Sequence, residues 1–306
     1  MMNGYVIIAT KGRARETATL LDFLAAQSAP PLLTVVVGAG PEDVDALDTH
    51  PLVARGQLDI ICAPAAGLPL QRNCGVTQLF SSPLFRSQSP GFVTFFDDDF
   101  RPGFDWLQQA SALFESDEEI VGLTGKVLAD GIKGAGLTEE EALLFLSGQS
   151  SALPHWASGD TVRDLSSMYG CNMSFRTTVC ERFRFDEALP AYGWQEDRDF
   201  TGQAKTMGRT VFAPLCRGVH LGIKKSRTPG FKFGYSQIAN VLYLMKKGTM
   251  ARTEGVKFLT KALIANSLKS IRPHPIHDYR GRLRGNSRAI SDLLRGNCHP
   301  MRVTEI

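Results

Sequence analysis

The stretch FVTFFDDDFRPGFDWL, residues 92–107, decides the fold of this 306-residue chain. Residues 92–96 form a short, mostly apolar run of branched and aromatic side chains, which is typical of a buried strand. Three carboxylates, Asp97, Asp98 and Asp99, follow without a break. Because ligands of open α/β sheets bind beyond the carboxyl ends of the strands, the stretch predicts a site at the edge of such a sheet.

The spacing of the acidic residues indicates a bound cation. Alternation along an extended chain turns Asp97 and Asp99 to one side and Asp98 to the other. Two converging carboxylates form an oxygen-rich site for Mg²⁺ or Mn²⁺, which can bridge to diphosphate oxygens and offset the repulsion among adjacent carboxylates. The competing interpretation is an acidic turn that caps the next helix at Asp105, and the preceding strand favours the metal site.

The first 215 residues alternate short apolar runs with helical stretches, which predicts a layered α/β domain. The predicted strands are residues 6–9, 33–37, 58–62, 92–96, 121–124, 171–175 and 210–213, the last of them stopped by Pro214. The predicted helices are residues 15–27, 106–113 and 196–207. Residues 137–170 lack this periodicity, which predicts a long, irregular and functional passage.

The composition limits the class of protein. A chain of this length that is 43% hydrophobic and 21% charged can bury a large core, which argues against disorder. We expect a cytoplasmic protein, because no apolar run approaches the roughly 20 residues that span a bilayer and the first residues lack the layout of a signal peptide. The cysteines show no CxxC spacing and are expected to be reduced and mostly buried; they are Cys62, Cys74, Cys171, Cys180, Cys216 and Cys298.

The net charge of +3 conceals a division along the chain. Residues 1–216 hold 16 Lys and Arg against 27 Asp and Glu, a net charge of −11, whereas residues 217–306 hold 18 against 4, a net charge of +14. Residues 238–245 and 256–268 predict basic amphipathic helices, and the change in composition places a boundary near Arg227. The basic block indicates an anionic partner such as a membrane surface, nucleic acid or a phosphorylated substrate, or else a solvated helical surface.

Over roughly residues 4–222 the chain resembles the family 2 glycosyltransferases, which have the GT-A fold. Residues 95–107 are similar to the metal-binding motif of that family. ATKGR, residues 9–13, resembles its P-T-x-N-R turn beside the nucleotide, and QRNCG, residues 71–75, resembles its A-R-N-x-G segment near the donor. GCNMSFR, residues 170–176, together with GWQED, residues 193–197, resembles its acceptor-side segment, so the motifs follow one another in the order of the family.

The resemblance implies a nucleotide-diphospho-sugar transferase built on a Rossmann-like mixed α/β sheet flanked by helices, the GT-A fold, with a basic, mainly helical C-terminal extension. It divides the chain into a catalytic domain, residues 1–227, and a basic C-terminal region, residues 228–306. The catalytic domain would have a donor-binding half at about residues 1–125 and an acceptor-side half at about residues 126–227.

The resemblance also assigns roles to single residues. The residues implied in nucleotide-sugar binding are Thr10, Arg13, Arg72, Asn73, Asp97 and Asp98. The implied ligands of Mn²⁺ or Mg²⁺ are Asp97, Asp99 and His220. Acceptor-side contacts are implied for Asn172 and Trp194. A lone histidine is more often structural than a ligand, which is the alternative for His220.

A sugar hydroxyl is a poor nucleophile, so attack on the anomeric carbon needs a general base opposite the departing diphosphate. The resemblance implies Asp197 in this role, with Glu196 as the alternate base. The competing interpretation is that both residues complement the positive end of the helix that starts there, and the two interpretations are compatible.

One segment departs from the family pattern. The family usually has Asp-Asp-Gly-Ser after the second strand, where it contacts the nucleoside, whereas residues 37–43 here read VGAGPED. The usual aspartate is missing, and Asp43 is a partial substitute. Beyond the histidine, Lys224, Lys225 and Arg227 are expected either to close over the diphosphate or to be solvated.

The expected function is inverting sugar transfer of the hexosyltransferase type (EC 2.4). The donor would be a nucleotide-diphosphate sugar, with a UDP-sugar favoured, and the acceptor a hydroxyl of a saccharide or lipid-linked saccharide in surface polysaccharide or glycoconjugate synthesis. Residues 228–306 would contact the anionic inner face of the cell membrane, a partner favoured over nucleic acid. The alternatives are a nucleotidyltransferase, which would usually have a Gly-rich basic loop after the first strand, and a non-catalytic sugar-nucleotide-binding scaffold subunit.

Overall fold

The structure is a computed structural model that describes residues 1–88, 91–225, 228–272 and 274–306. The strands are β1 (Gly4–Thr10), β2 (Leu33–Gly38), β3 (Leu58–Cys62), β4 (Phe92–Asp97), β5 (Phe100–Pro102), β6 (Ile120–Asp130), β7 (Arg163–Asp164), β8 (Asn172–Arg176) and β9 (Arg209–His220). The helices are α1 (Ala14–Ala25), α2 (Pro51–Ala54), α3 (Leu68–Ser81), α4 (Pro83–Arg86), α5 (Trp106–Ser116), α6 (Glu139–Leu146), α7 (Thr177–Arg182), α8 (Glu196–Ala204), α9 (Gly230–Lys247), α10 (Arg252–Ser270) and α11 (Tyr279–Leu294).

The strands form one mixed sheet in the order β3-β2-β1-β4-β8-β6-β9-β5, and β7 pairs with β9. Strands β1 to β4 are parallel, β8 runs antiparallel to both β4 and β6, and β6 is parallel to β9. The parallel part brings the carboxyl ends of β1, β2 and β4 to one edge, where the acidic run leaves the sheet. The predicted α/β fold with a mixed sheet flanked by helices is confirmed.

Both faces of the sheet are covered, because alternate side chains of each strand point in opposite directions. On one face Val6 and Ile8 belong to a core formed with α1 and α5. On the other face Tyr5 and Ile7 belong to a core formed with α3 and α8, to which α8 contributes Phe200. Burial on both sides explains why these strands read as continuous apolar runs.

The predicted end of the last strand at Pro214 is wrong. Strand β9 continues to His220, and its pairing with β6 shifts between Ala213, which lies opposite Gly125, and Arg217, which lies opposite Lys126. The intervening residues bulge out of the ladder, where a proline is tolerated because it has no N–H to donate. The extension carries His220 to positions paired with both β5 and β6.

The predicted irregular passage at residues 137–170 is wrong in part, because it contains helix α6 and the short strand β7. Helix α6 begins with a capping box, in which Thr138 accepts from the Glu141 backbone and the Glu141 side chain accepts from the Thr138 backbone. Glu139 and Glu140 also lie in its first turn, where negative charge is favourable. The capping box and the acidic first turn thus favour a helix here, although eight residues are too few to show a clear periodicity in the sequence.

The C-terminal helices α9, α10 and α11 pack on one another around Tyr235, Ile238 and Ala289. A second cluster joins α9 to the segment before α8 through Leu189 and Val241. Both helices predicted here are present as α9 and α10, but α10 has no single apolar face: Leu259 and Leu263 pack against the core, whereas Ile264 and Leu268 are exposed. None of the helices within the described residues is long and apolar enough to cross a bilayer. The division into two domains stays a prediction, and Arg227, its boundary, lies outside the described residues.

A glycine sets how closely α3 packs on the sheet. A Cβ atom at Gly75 would lie 2.5 Å from Cγ2 of Ile7 and 3.2 Å from Cγ2 of Val37, both in the core. We therefore expect Gly75→Ala to lower the free energy of unfolding by about 1–3 kcal/mol, measured by urea denaturation. Gly134→Ala is the control, because open space surrounds a Cβ atom at that position. Equal stability of the two variants would contradict the close packing.

Candidate functional site

The three carboxylates that follow the apolar part of β4 point to different partners. Asp97 and Asp99 converge with His220, and each offers one ligand atom within 4.8 Å of the others. Asp98 turns away, and its carboxylate accepts hydrogen bonds from the Thr10 hydroxyl and the Arg13 guanidinium, both at 2.8 Å. The expected alternation along the run is therefore present, and Asp98 fastens it to the turn after β1.

His220 reaches the acidic run because it is the last residue of β9. Its backbone pairs with Phe100 of β5 on one side and with Asp130 of β6 on the other. Imidazole Nε2 lies 3.3 Å from Asp99 Oδ1, and Nδ1 lies 3.0 Å from Asp130 Oδ1. An imidazole whose Nδ1–H is held by a carboxylate presents its Nε2 lone pair to a metal.

Asp130 belongs to the candidate site, and the sequence reasoning missed it. Its carboxylate accepts from the Ile132 N–H at 3.0 Å and from the Tyr169 hydroxyl at 2.8 Å, and it lies 3.3 Å from His155 Nε2. These partners, together with His220, fix both of its oxygens. The available signal was its place at the end of a strand, the same signal that singled out the acidic run.

The residues present fit a divalent cation. Asp99 Oδ1 is buried and makes no hydrogen bond. Burial alone would lower the pKa of His220, but the carboxylates of Asp99 and Asp130 raise it to about 10. Burial would raise the pKa of Asp99, yet the His220 imidazolium and the Arg13 guanidinium lower it. The proton on the His220 imidazole thus offsets the negative charge of the carboxylates, and a bound cation would take the place of that proton. Two carboxylates with one imidazole suit Mn²⁺ or Mg²⁺.

The Arg72 side chain of α3 joins the acidic run to α8. It is fully buried; Nη1 pairs with Glu196 Oε1, and Nη2 lies 3.0 Å from Asp97 Oδ1 and 2.8 Å from the Gly170 carbonyl oxygen. The guanidinium also lies 5.3 Å from the centre of the Phe185 ring. Burial raises the pKa of Glu196 to about 8, although Arg72 favours its charged form.

Asp197, the implied base, lies at the start of α8 and lines the same cleft as the metal-site residues. Its Oδ2 accepts from the Gly170 N–H at 3.1 Å and its Oδ1 from the Arg198 N–H at 2.8 Å. Burial raises its pKa, whereas the Arg198 N–H, the Arg72 charge and the Gly170 N–H oppose that rise. Backbone N–H donors favour a charged carboxylate, so the helix-end interpretation is compatible with the catalytic one, which stays a prediction.

Several residues implied in donor binding contact other parts of the protein. Arg13 lines the cleft and donates to the carbonyl oxygens of Ile223 at 2.9 Å and Lys225 at 3.1 Å. Burial raises the pKa of Asp98 to about 7 against the opposing effect of Arg13. Asp43 is buried and accepts from the N–H groups of Gly12 and Gly40, so it ties the turns after β1 and β2 together.

Two motif asparagines are not among the cleft-lining residues. Asn73 exchanges hydrogen bonds with the Phe185 backbone, at 2.9 Å in both directions, and donates to Glu187. Asn172 is fully buried, with its Oδ1 accepting from the Thr124 hydroxyl. Both asparagines hold strands and loops in place at the site.

The loop after β9 is held close to the metal-site residues. Lys224 of the expected flap donates to the carbonyl oxygens of Gly131 at 2.8 Å and Ile132 at 2.9 Å, and Arg227 lies outside the described residues. The Ile223 N–H donates to Asp99 Oδ2 at 2.8 Å. This part of the flap therefore fixes the chain beside the acidic run.

A cleft of about 660 Å³ unites these groups. One wall carries Asp97, Asp99 and His220, and Asp197 and Trp194 lie beside them. The C-terminal helical region supplies a second wall that the sequence did not reveal; its cleft-lining residues are Thr228, Phe233, Lys269, His274, His277, Tyr279 and Arg282. The sequence motifs and the basic extension thus face one shared space.

We expect Asp99→Asn and His220→Ala each to abolish tight Mn²⁺ binding, measured by the electron paramagnetic resonance of free Mn²⁺. Asp130→Asn removes no ligand but releases the imidazole, and should weaken binding by about 10–100-fold. Asp160→Asn is the matched control, because this exposed carboxylate pairs with Lys126 away from the cleft. Unchanged Mn²⁺ affinity in Asp99→Asn would place the cation elsewhere.

No family model and no curated protein matches the chain. Solved structures do. TarS of S. aureus superimposes with a TM-score of 0.55 at 17% identity, over 87% of this chain and 43% of that one. TarS residues 1–349 in complex with UDP-GlcNAc gives 0.53 at 16% identity, over 96% and 92%. The mannosyltransferase PcManGT of Pyrobaculum calidifontis in complex with GDP-Man and Mn²⁺ gives 0.54 at 14% identity, over 97% and 87%.

The likeness extends through almost the whole of this chain but over less than half of the full TarS chain. At these identities it is a likeness of fold, and it includes the C-terminal helices as well as the sheet. The chain has the GT-A-like fold of these glycosyltransferases.

Proposed function

We propose that the chain is a metal-dependent glycosyltransferase that moves a hexose from a nucleotide-diphosphate sugar to a hydroxyl of a saccharide or lipid-linked saccharide, with inversion. One observation carries the proposal: the buried guanidinium of Arg72 contacts Asp97 of the metal site and Glu196 beside the implied base. A single rigid group therefore sets the spacing between the donor end and the acceptor end of the site. The fold supports the same proposal, since similar structures hold UDP-GlcNAc or GDP-Man with Mn²⁺.

At the donor end, Asp97, Asp99 and His220 would hold Mn²⁺ or Mg²⁺. When bound, the ion supplies Lewis-acid stabilisation of the negative charge on the leaving nucleoside diphosphate. Asp130 keeps Nε2 of His220 directed at the site through the bond to Nδ1. Arg13 also lines the cleft and is held by Asp98.

At the acceptor end, Asp197 accepts the proton of the acceptor hydroxyl on a carboxylate oxygen. The hydroxyl oxygen then attacks the anomeric carbon from the face opposite the diphosphate, and the bond between that carbon and the diphosphate breaks, which inverts the configuration. Glu196 lines the same cleft and is the alternate base, but its Oε1 is engaged by Arg72, which favours Asp197 in this role. Two backbone N–H donors hold the Asp197 carboxylate in one orientation.

We expect Asp197→Asn to lower the turnover of a UDP- or GDP-sugar by about 10²–10⁴-fold with nucleotide binding retained, because general-base catalysis contributes that much. Released nucleoside diphosphate and glycoside product are measured together, which also separates this activity from nucleotidyl transfer. Glu181→Gln, on an exposed surface of α7, is the control. Full activity in Asp197→Asn would remove this residue from the reaction, and full activity with a chelator would remove the metal.

We also propose that α10 rests on an anionic membrane surface, at the inner face of the cell membrane, where lipid-linked acceptors would be found. Its apolar residues Val256, Ile264 and Leu268 are 55–65% exposed. The exposed Lys257 and Lys261 flank them on the same helix. Exposed apolar side chains beside lysines fit the headgroup region of anionic lipid, where each lysine contributes about 1 kcal/mol.

The protein should therefore float with anionic vesicles at low salt and not with neutral ones. We expect Lys257→Glu combined with Lys261→Glu to weaken flotation at least about tenfold. Arg55→Glu combined with Lys205→Glu makes the same charge change on exposed residues outside α10 and should have a smaller effect. If wild-type protein fails to float at low salt, α10 does not contact the membrane.

A further inference from the structure

The segment that precedes the proposed base has an unusual backbone. Within the described part of the chain, three residues other than glycine have a positive φ, namely Ala46 at 59°, Ala191 at 59° and Gln195 at 74°. Two of these three lie within six residues of Asp197, and Gly193 between them has a φ of 61°. Left-handed backbone is unfavourable for a residue with a Cβ atom, and it persists where the surrounding structure enforces it, most often at ligand-binding sites.

Contacts from two helices hold this strained segment, residues 190–195, in place. The Ala191 carbonyl oxygen accepts a hydrogen bond at 2.9 Å from the N–H of Leu68, the first residue of α3. The Trp194 carbonyl oxygen accepts one at 2.8 Å from the Asn240 side chain of α9. The segment is therefore fixed between the start of α3 and the middle of α9, so its conformation is set by the protein itself.

The fixed segment places the Tyr192 side chain in the cleft. Tyr192 lines the cleft together with Asp97 and Asp197 and is 48% exposed. Within the described residues, its ring contacts no other aromatic ring or cation, and its hydroxyl makes no hydrogen bond. By contrast, the ring of Trp194 in the same segment lies 5.8 Å from the ring of Phe233. Tyr192 therefore offers both an aromatic face and a hydroxyl group to a molecule in the cleft.

A tyrosine at this place suits a saccharide. Its hydroxyl both donates and accepts hydrogen bonds, and a sugar offers hydroxyl groups as partners. Its ring gives a large and rigid face at a small cost in side-chain freedom, and the C–H groups of a sugar can pack on that face. Binding sites for small molecules commonly combine such apolar faces with a few fixed polar groups.

We propose that Tyr192 determines acceptor specificity: its ring and hydroxyl bind the acceptor saccharide beside Asp197, and the strained segment 190–195 holds them in position. This inference rests on the proposed function, because it names a group that meets the acceptor of that reaction. Tyr192 precedes Asp197 by only five residues in a fixed segment, which indicates the acceptor end of the cleft. A group that is already fixed loses little freedom when a ligand binds, so the preset segment strengthens binding.

The strain at Ala191 has a measurable consequence for stability. Glycine relieves it, because a residue without a Cβ atom adopts a positive φ freely. Ala191→Gly should therefore raise Tm by about 1–2 °C. The same substitution should loosen the segment and weaken the binding of a saccharide, because strain at a functional site is retained for the geometry that it fixes.

The experiment measures saccharide binding to the full-length protein with its donor site filled by UDP or GDP and Mg²⁺. The probes are the methyl glycosides of glucose, galactose, mannose and N-acetylglucosamine, and their affinities are obtained by ligand-observed NMR. We expect Tyr192→Ala to weaken the tightest of these probes at least about tenfold, and Tyr192→Phe, which loses only the hydroxyl, about 2–10-fold. Neither substitution should change the affinity for the nucleotide.

Two matched controls are available in the same chain. Phe104→Ala removes a 69% exposed aromatic side chain outside the cleft and should leave saccharide binding unchanged. Ala46→Gly is the control for Ala191→Gly, because both alanines are exposed and have a φ of 59°, and Ala46 lies outside the cleft. Both glycine variants should be more stable than the wild-type protein, but only Ala191→Gly should bind the probe less tightly, by at least about threefold.

Unchanged saccharide binding in Tyr192→Ala would overturn the inference, as would the absence of binding by every probe. Weaker nucleotide binding in Tyr192→Ala would also overturn it, since the residue would then serve the donor. Equal probe affinity in Ala46→Gly and Ala191→Gly would remove the role of the strained segment. Tyr192 is exposed, so its variants remain informative even if Ala191→Gly fails to fold.

Release of nucleoside diphosphate from UDP- or GDP-sugars in the same preparations separates the two levels of the argument. Its absence from the wild-type protein contradicts the proposed glycosyltransferase. Its presence, together with saccharide binding that is indifferent to Tyr192→Ala, contradicts only the role of Tyr192.

Discussion

The rest of the site depends on the contacts of one buried group, the guanidinium of Arg72. It donates to a carboxylate at the end of β4, to a carboxylate at the start of α8 and to a carbonyl oxygen in the loop before β8. Two carboxylates in an apolar setting would each be costly without this charge, and the charge would be costly without them. Three separate segments are thereby held at fixed spacing. The proposed reaction needs this, because the base and the cation would act on opposite sides of the anomeric carbon.

Much of the fold was predictable from short-range patterns. Buried parallel strands read as apolar runs because both faces of the sheet are covered, so β1 to β4 were visible in the sequence. The acidic run was visible as well, because its strand ends at the carboxyl edge where ligands bind. The bulge near Pro214 was not visible, since only the pairing of β9 with β6, about 90 residues away, shows that the strand resumes.

The missed parts of the site share one cause, which is contact between segments distant in sequence. Asp130 is recognisable only from the pairing of β6 with β9, which places His220 beside it. The cleft-lining residues of the C-terminal region are scattered through a basic tail without clear periodicity, and the packing of α9, α10 and α11 on one another brings them to the cleft. Motif resemblance also has limits, since Asn73 lies in a donor-site motif but bonds with the Phe185 backbone.

The bulge in β9 has a consequence for how this part of the chain can vary. Side chains alternate along a strand, so the number of residues between the two paired parts of β9 determines which face His220 occupies. Removal of one residue from 214–216 would turn the imidazole away from Asp99, although every amino acid of the site remained. Substitution of the exposed Leu215 is therefore tolerable where a change in the length of the bulge is not, and that length matters to the candidate metal site as much as its side chains do.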